Sequence, residues 1–112
     1  MVRESLLPDA RNTFVAISAK HGAAQQLRAQ TNTPTTSAKM EGPAAPCWLK
    51  LQRTGDDVTG SFSTDGVTWE KFATVALPNL PATVHAGLAV TSHDNEKATT
   101  ATIDQIKLNR LK

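Results

Sequence analysis

Apolar and polar residues alternate with a period of two along several short segments of this chain. In the middle of the chain, Leu49 and Leu51 fall on one side of an extended backbone. Trp48, Lys50 and Gln52 fall on the other side. This period is typical of a β-strand with one buried face and one exposed face. No segment keeps apolar residues at helical spacing for long enough to predict a helix, so the pattern predicts an all-β chain.

Turn residues divide the chain into predicted strands, because they recur about every 8–12 positions, a spacing typical of β-sandwiches and β-barrels. The predicted strands cover residues 1–6, 13–20, 23–31, 47–54, 57–64, 68–77, 84–92 and 98–108. Residues 31–46 are rich in Thr, Pro, Ser and Gly. They are predicted to form a long surface loop, or a loop that holds a short extra strand near residues 35–40. Together these elements predict one antiparallel β-sandwich domain over residues 1–112.

The alternation also assigns side chains of the other strands to faces. Val2 and Leu6 share one face of the first strand, and Arg3 lies on the other face. Leu88 and Val90 are predicted to point into the core. In residues 25–31, Leu27 and Ala29 share one face, and the opposite face carries Gln26, Arg28 and Gln30.

Turn chemistry marks the connections between these strands. Gly22 is predicted to take a positive φ in a hairpin connection over residues 20–22. Residues 54–57 and 63–66 are each predicted to join two strands. Two prolines in residues 78–81 end a strand, because proline cannot donate to a central ladder.

Composition and charge exclude several classes of function. The formal net charge is +2, and the chain has neither a basic run nor a basic stripe interleaved with aromatic residues, so nucleic acid is not an expected partner. No apolar stretch approaches the roughly 18 residues of a membrane span. The N-terminal residues lack the pattern of a signal peptide. Cys47 is the single cysteine, so no internal disulfide forms, and its apolar neighbours predict a buried small side chain rather than a reactive thiol.

Four segments together resemble one known family. They are residues 2–6 (VRESL), 46–51 (PCWLKL), 63–69 (STDGVTW) and 86–93 (AGLAVTSH). The family is a bacterial domain of unassigned function with the concanavalin-A-like lectin and glucanase fold, found in multidomain secreted or envelope proteins. The resemblance implies a jelly-roll-like sandwich and an extracellular or cell-envelope location, as part of a larger polypeptide.

Members of that family usually carry several further strands before the motif at residues 3–5. The resemblance therefore implies that this chain is the C-terminal portion of the domain. If Met1 is the true start of the protein, we expect exposed apolar edges and association through them.

Residues 63–69 look like an Asp box, the hairpin motif of sialidase propeller blades, shortened by one residue. The expected physics is that of a turn, in which Asp65 accepts hydrogen bonds from backbone N–H groups and Gly66 takes a positive φ. Trp69 is expected to pack under the hairpin. An Asp-box glycosidase fragment is a remote alternative, since a propeller needs several such blades.

No constellation of residues predicts an enzyme. Glycoside hydrolysis needs two carboxylates about 5–10 Å apart, but Glu4, Glu70 and Asp104 are assigned to different strands. The loop at residues 93–96 is rich in oxygen ligands, but it matches no calcium pattern and is interpreted as an exposed turn. The three histidines are too scattered in sequence to form a zinc site. We therefore expect no metal and no cofactor.

The polar strand faces carry the most suggestive chemistry. Sugars bind to flat aromatic rings and to planar amide and guanidinium groups. The predicted ligand-binding residues are Arg3, Gln26, Arg28, Trp48, Gln52 and His93. The leading hypothesis is a non-catalytic module that binds carbohydrate with these residues on neighbouring strands. The alternative is a structural or protein-interaction domain without a small ligand, and burial of Trp48 would favour it by removing the stacking platform.

Overall fold

The computed structural model describes residues 1–18, 22–39, 42–91, 96 and 98–108, and this part of the chain contains strands and loops but no helix. Its strands are β1 (Val2–Arg3), β2 (Asn12–Ser18), β3 (Gly22–Arg28), β4 (Thr36–Lys39), β5 (Trp48–Thr54), β6 (Asp57–Ser63), β7 (Glu70–Ala76) and β8 (His85–Ala86). The large sheet has the order β4-β3-β2-β1-β8, and the small sheet has the order β5-β6-β7. Every pairing is antiparallel. The all-β prediction is confirmed.

The two sheets pack face to face in a sandwich-like arrangement. Val58 and Val75 lie opposite each other in the small sheet and are buried, together with Leu77 and Leu80 from the segment that follows β7. Three half-buried side chains pack against this cluster: Leu27, Leu51 and Val84. Leu51 therefore points inward, as the two-residue period predicts, and the polar residues that alternate with it point away from the other sheet.

A buried glutamine joins the two sheets. Gln25 of β3 is fully buried, and its Nε2 donates to Thr13 Oγ1 at 3.2 Å. The backbone N–H of Ala73 in β7 donates to Gln25 Oε1 at 3.1 Å. A bulge shifts the β6–β7 register between Gly60 and Ser61, where Gly60 lies opposite Ala73. Gln25 thus supplies an acceptor to the backbone next to the bulge. The hydrogen bonds pair the Ala73 N–H and the buried Gln25 amide, which would otherwise be buried without partners.

The hairpin between β5 and β6 closes one end of the core. Gly55 in its loop has a φ of 63°, which glycine adopts without strain. Asp56 accepts hydrogen bonds from the backbone N–H groups of Asn79 and Leu80 at 2.9 and 3.1 Å. Arg53 Nη2 donates to the Leu80 carbonyl at 3.0 Å. These bonds hold the segment after β7 over the buried leucines.

Several predicted elements are confirmed. β4 is the extra strand expected near residues 35–40, and Gly22 has the expected positive φ, at 72°. Both predicted hairpin loops of the small sheet join the expected strands. β7 ends at Ala76, before the segment with two prolines.

The predictions for both ends of the chain are wrong in part. β1 ends at Arg3, so Leu6 is 73% exposed instead of sharing a buried face with Val2. The strand predicted over 84–92 is reduced, within the described residues, to His85–Ala86, and Leu88 and Val90 are exposed. Residues 98–108 form no strand and are exposed. Alternation alone does not make a strand, because the backbone also needs a neighbouring ladder, and residues 98–108 pair with none of the described strands.

Candidate ligand-binding site

The register of the small sheet places polar and aromatic side chains together on the face that points away from the large sheet. Two rows run across its three strands, Lys50–Ser61–Lys71 and Gln52–Thr59–Thr74. Trp48 lies two residues before Lys50, at the end of this face next to the β6–β7 hairpin. We call this surface the outer face, and it consists of Trp48, Lys50, Gln52, Thr59, Ser61, Trp69, Lys71 and Thr74.

Trp69 and Lys50 contact each other on the outer face. The Lys50 ammonium lies 4.2 Å from the centroid of the Trp69 ring, which is cation–π geometry. Both side chains are half-buried. In the next row, the hydroxyls of Thr59 and Thr74 share a 2.7 Å hydrogen bond. The outer face therefore offers indole, ammonium, amide and hydroxyl groups on a rigid sheet.

Trp48 lies under the β6–β7 hairpin, where Trp69 was expected. A Cβ at Gly66 would lie 2.8 Å from Trp48 Cε2, so only glycine allows this close approach. Gly66 also has the predicted positive φ, at 78°. The indole that contacts Gly66 of the hairpin is Trp48, and the contact seen for Trp69 is with Lys50. Trp48 is half-buried, so its indole is neither sealed in the core nor fully exposed.

The hairpin itself is held by Asp65, as the motif predicts. Asp65 Oδ1 accepts hydrogen bonds from the backbone N–H groups of Thr68 and Val67, both at 2.8 Å, and from the Ser63 hydroxyl at 2.9 Å. Ser63 Oγ in turn accepts from the N–H of Gly66 at 2.8 Å. These bonds, led by the one from Thr68, lower the pKa of Asp65 to about 2. The Asp65 carboxylate thus stabilises the turn.

Asp65 makes the stability of the hairpin depend on acid pH. Its pKa in the folded chain lies below the ordinary value of 3.8, so the ionised group stabilises the fold above about pH 4. That contribution is lost as the pH falls from about 4 toward 2. We expect the thermal midpoint of the native protein to fall more steeply over this range than that of Asp65→Asn. Asp104→Asn, at an exposed position, should keep the native slope, and equal slopes for all three proteins would contradict the assignment.

The structure divides the predicted ligand-binding residues between two surfaces. Trp48 and Gln52 lie on the outer face of the small sheet. Arg3, Gln26 and Arg28 belong to β1 and β3 of the large sheet. Gln26 and Arg28 alternate along β3 with Gln25 and Leu27, which face the small sheet. Arg3 follows the buried Val2 in β1. All three side chains therefore point away from the small sheet. The expectation of a single face on neighbouring strands is wrong, because alternation fixes the side of a strand but not its sheet.

Arg3 and Arg28 hold the chain segment that follows β1. Arg3 Nη2 donates to the Leu7 carbonyl at 2.6 Å, and Arg3 Nε donates to the Ser5 carbonyl at 3.1 Å. Arg28 Nη1 donates to the Pro8 carbonyl at 2.7 Å. Both guanidinium groups therefore fasten a loop across the large sheet. His93, the sixth predicted residue, lies outside the described residues.

The candidate carboxylates lie apart from one another. Glu4 accepts two hydrogen bonds from Arg11, at 2.9 and 3.0 Å, and these hold the pKa of Glu4 below its usual range. Glu70 begins β7, and Asp104 lies in the exposed segment that forms no strand.

No group of three or more His, Cys, Asp or Glu side chains in the described ranges is placed to hold a metal ion. Cys47 is half-buried, and burial raises the pKa of its thiol.

Small surface depressions occur in the described part of the chain. One of about 90 Å³ is lined by Phe62, Ser63, Thr64, Thr68 and Glu70, and another of about 260 Å³ lies beside β8. Both are smaller than the roughly 300–1,000 Å³ of typical small-molecule sites. No described residue belongs to a helix that is long and apolar enough to cross a membrane.

Six of the eight outer-face residues were missing from the predicted set. Thr59, Lys71 and Thr74 become neighbours of Gln52 and Lys50 only through strand pairing. The two-residue loop between β5 and β6 was a usable signal for Thr59, because it fixes which residues face each other. The bulge in β7, which sets the register of Lys71, has no comparable signal in the sequence.

The comparisons with known proteins identify no relative. No family model, no curated protein and no solved structure matches this chain.

Proposed function

We propose that this chain is a non-catalytic binding module that holds carbohydrate on the outer face of the small sheet. The observation that carries the proposal is the strand register, which groups Trp48 and Gln52 with a second indole and a pair of threonine hydroxyls. Indole rings stack on the C–H faces of sugars, and amides and hydroxyls bond sugar hydroxyls. An open sheet face with side chains from three strands suits an extended chain of sugars.

Arg3, Gln26 and Arg28 have no part in this proposal, because one ligand cannot reach both outer surfaces of a sandwich whose sheets lie about 10 Å apart. The fold type in the proposal is the jelly-roll-like, concanavalin-A-like sandwich. Its support is the resemblance of residues 46–51 and 63–69 to that family. On the same basis the chain belongs to a larger extracellular or cell-envelope protein.

A glycan panel with matched variants tests the proposal. We expect saturable binding to at least one plant, bacterial or host glycan, and Trp48→Ala should weaken it by about tenfold or more. Because Trp48 also packs under Gly66, a second variant is needed that leaves the hairpin intact. Gln52→Ala removes an exposed amide and should weaken binding about two- to tenfold.

Gln26→Ala is the matched control, because it makes the same substitution, glutamine to alanine, in the large sheet. Its binding should equal that of the native protein, and thermal unfolding should show that every variant folds. Equal losses for Gln26→Ala and Gln52→Ala, or no binding across the panel, would contradict the proposal.

A second candidate function is protein–protein interaction through apolar surface near the C-terminus. Five large apolar side chains of the described residues after β8 are exposed: Leu88, Val90, Ile103, Ile106 and Leu108. Exposed apolar groups of this kind are typical of surfaces that another chain covers. Sedimentation as a concentration-dependent oligomer, abolished by Ile106→Ser with Leu108→Ser, would support this function. A stable monomer would contradict self-association.

A further inference from the structure

We infer that the ligand of the outer face is an anionic polysaccharide, one that carries carboxylate or sulfate groups. This inference rests on the proposed function and adds the charge of the ligand to it. Its basis is the row Lys50–Ser61–Lys71, in which two lysines flank one serine on adjacent strands. Neighbouring strands lie about 4.8 Å apart, so the two lysine backbones are about 10 Å from each other. Two ammonium groups are therefore available at the same level of the sheet.

The carboxylates near this row form no ion pair with its lysines in the described part of the chain. The ion pair seen in the described residues joins Arg11 to Glu4, so neither Lys50 nor Lys71 has a carboxylate partner there. Asp65 Oδ1 bonds backbone N–H groups of the hairpin and forms no ion pair with either lysine. Glu70 precedes Lys71 in β7 but lies opposite Phe62 rather than Ser61, and it forms no ion pair with the row either. Asp57 lies four residues from Ser61 along β6, which places it about 13 Å away. A ligand with negative charge would supply the counterion that the chain does not.

The Lys50–Trp69 contact favours an acidic sugar over a neutral one. The ammonium lies over the indole at 4.2 Å, so a neutral sugar would have to displace it to stack on that side of the ring. An acidic sugar offers a carboxylate or sulfate to the displaced ammonium while its C–H face takes the ammonium's place on the indole. Lys50 and Trp69 would then bind two parts of the same sugar. Ser61 is buried between the two lysines, and the pairing of the three strands sets the lysine spacing.

Oligogalacturonate and its fully methyl-esterified form test this inference, because they share one backbone and differ only in charge. We expect calorimetric titration at low salt to show about tenfold tighter binding of the unesterified form. The difference should shrink as salt rises, since exposed charges are screened. Sulfated heparin oligosaccharides form a second arm that separates sulfate from carboxylate recognition, and tighter binding there than to neutral glycans supports the same chemistry.

Lysine variants assign the effect to the outer face. Lys50→Gln and Lys71→Gln should each weaken binding of the acidic form, and the double variant should bind both forms equally. Lys107→Gln, an exposed lysine outside the outer face, should bind like the native protein. Lys50→Gln should also change tryptophan emission without ligand, because it removes the ammonium from Trp69.

The outcomes separate the two proposals. Equal binding of esterified and unesterified chains overturns the charge inference and leaves carbohydrate binding in place. Failure of every charged and neutral glycan overturns both proposals. Tighter binding of single-stranded oligothymidine than of acidic glycans, with the same lysine dependence, overturns the choice of a polysaccharide.

Discussion

A Gly60→Ala variant is expected to lose about 2–5 kcal/mol of unfolding free energy, because its new methyl group would enter the space between the sheets. Gly60 faces Val15 and the amide of Gln25. A Cβ at residue 60 would overlap with Gln25 Oε1 and would lie 2.9 Å from Val15 Cγ1. The glutamine side chain would have to move, and the N–H of Ala73 would lose its acceptor. Urea unfolding monitored by circular dichroism measures the loss.

A double-mutant cycle identifies the cause of that loss. Gln25→Ala removes the obstacle, so Gly60→Ala should cost much less in that background than in the native chain. Gly87→Ala is the control, because nothing lies within 4 Å of a Cβ built there, and it should change stability by less than about 0.5 kcal/mol. Additive effects of Gly60→Ala and Gln25→Ala would contradict the contact between the two residues.

Leu77→Ala is expected to cost about 2–5 kcal/mol, the range for truncation of a buried leucine. Leu77 is fully buried in the cluster with Val58, Val75 and Leu80. Its N–H donates to the Asp56 carbonyl at 2.8 Å, so the backbone stays fixed and the cavity cannot collapse freely. A domain of ordinary stability, about 5–15 kcal/mol, would lose much of its margin.

Leu88→Ala is the matched control for Leu77→Ala. Leu88 is 62% exposed, so the same truncation should cost less than about 0.5 kcal/mol. The pair also tests the corrected end of the chain, because the alternating pattern had placed Leu88 in the core. Similar losses for the two variants would restore the longer strand over residues 84–92.

The small sheet was predictable from the sequence because its signals are local. Leu49 and Leu51 alternate with Trp48, Lys50 and Gln52, and Gly55 supplies a positive φ where the loop needs it. A two-residue loop then fixes the pairing of β5 with β6 without further information. The same holds for the hairpin at Asp65, where the motif alone predicts the hydrogen bonds.

The composition of the candidate site was less predictable because it depends on which strands become neighbours. Arg3 and Arg28 have the same alternating context as Gln52, yet they belong to the other sheet and bind a loop. Gln25 lies on the same side of β3 as Leu27, but a polar side chain gives no sign of full burial, which depends on Ala73 and Thr13 satisfying its amide. These outcomes are set by contacts between distant residues, and residue alternation carries no information about them.

Chemical-shift mapping by NMR locates the binding surface most directly. On titration of ¹⁵N-labelled protein with oligogalacturonate, we expect the largest amide shifts in β5 and β7, around Lys50, Gln52 and Lys71, with a change at the Trp69 indole N–H. Residues of the large sheet such as Gln26 should move little. Shifts concentrated around Arg3 and Arg28, with the small sheet unchanged at saturation, would show that the ligand binds to the opposite side of the sandwich.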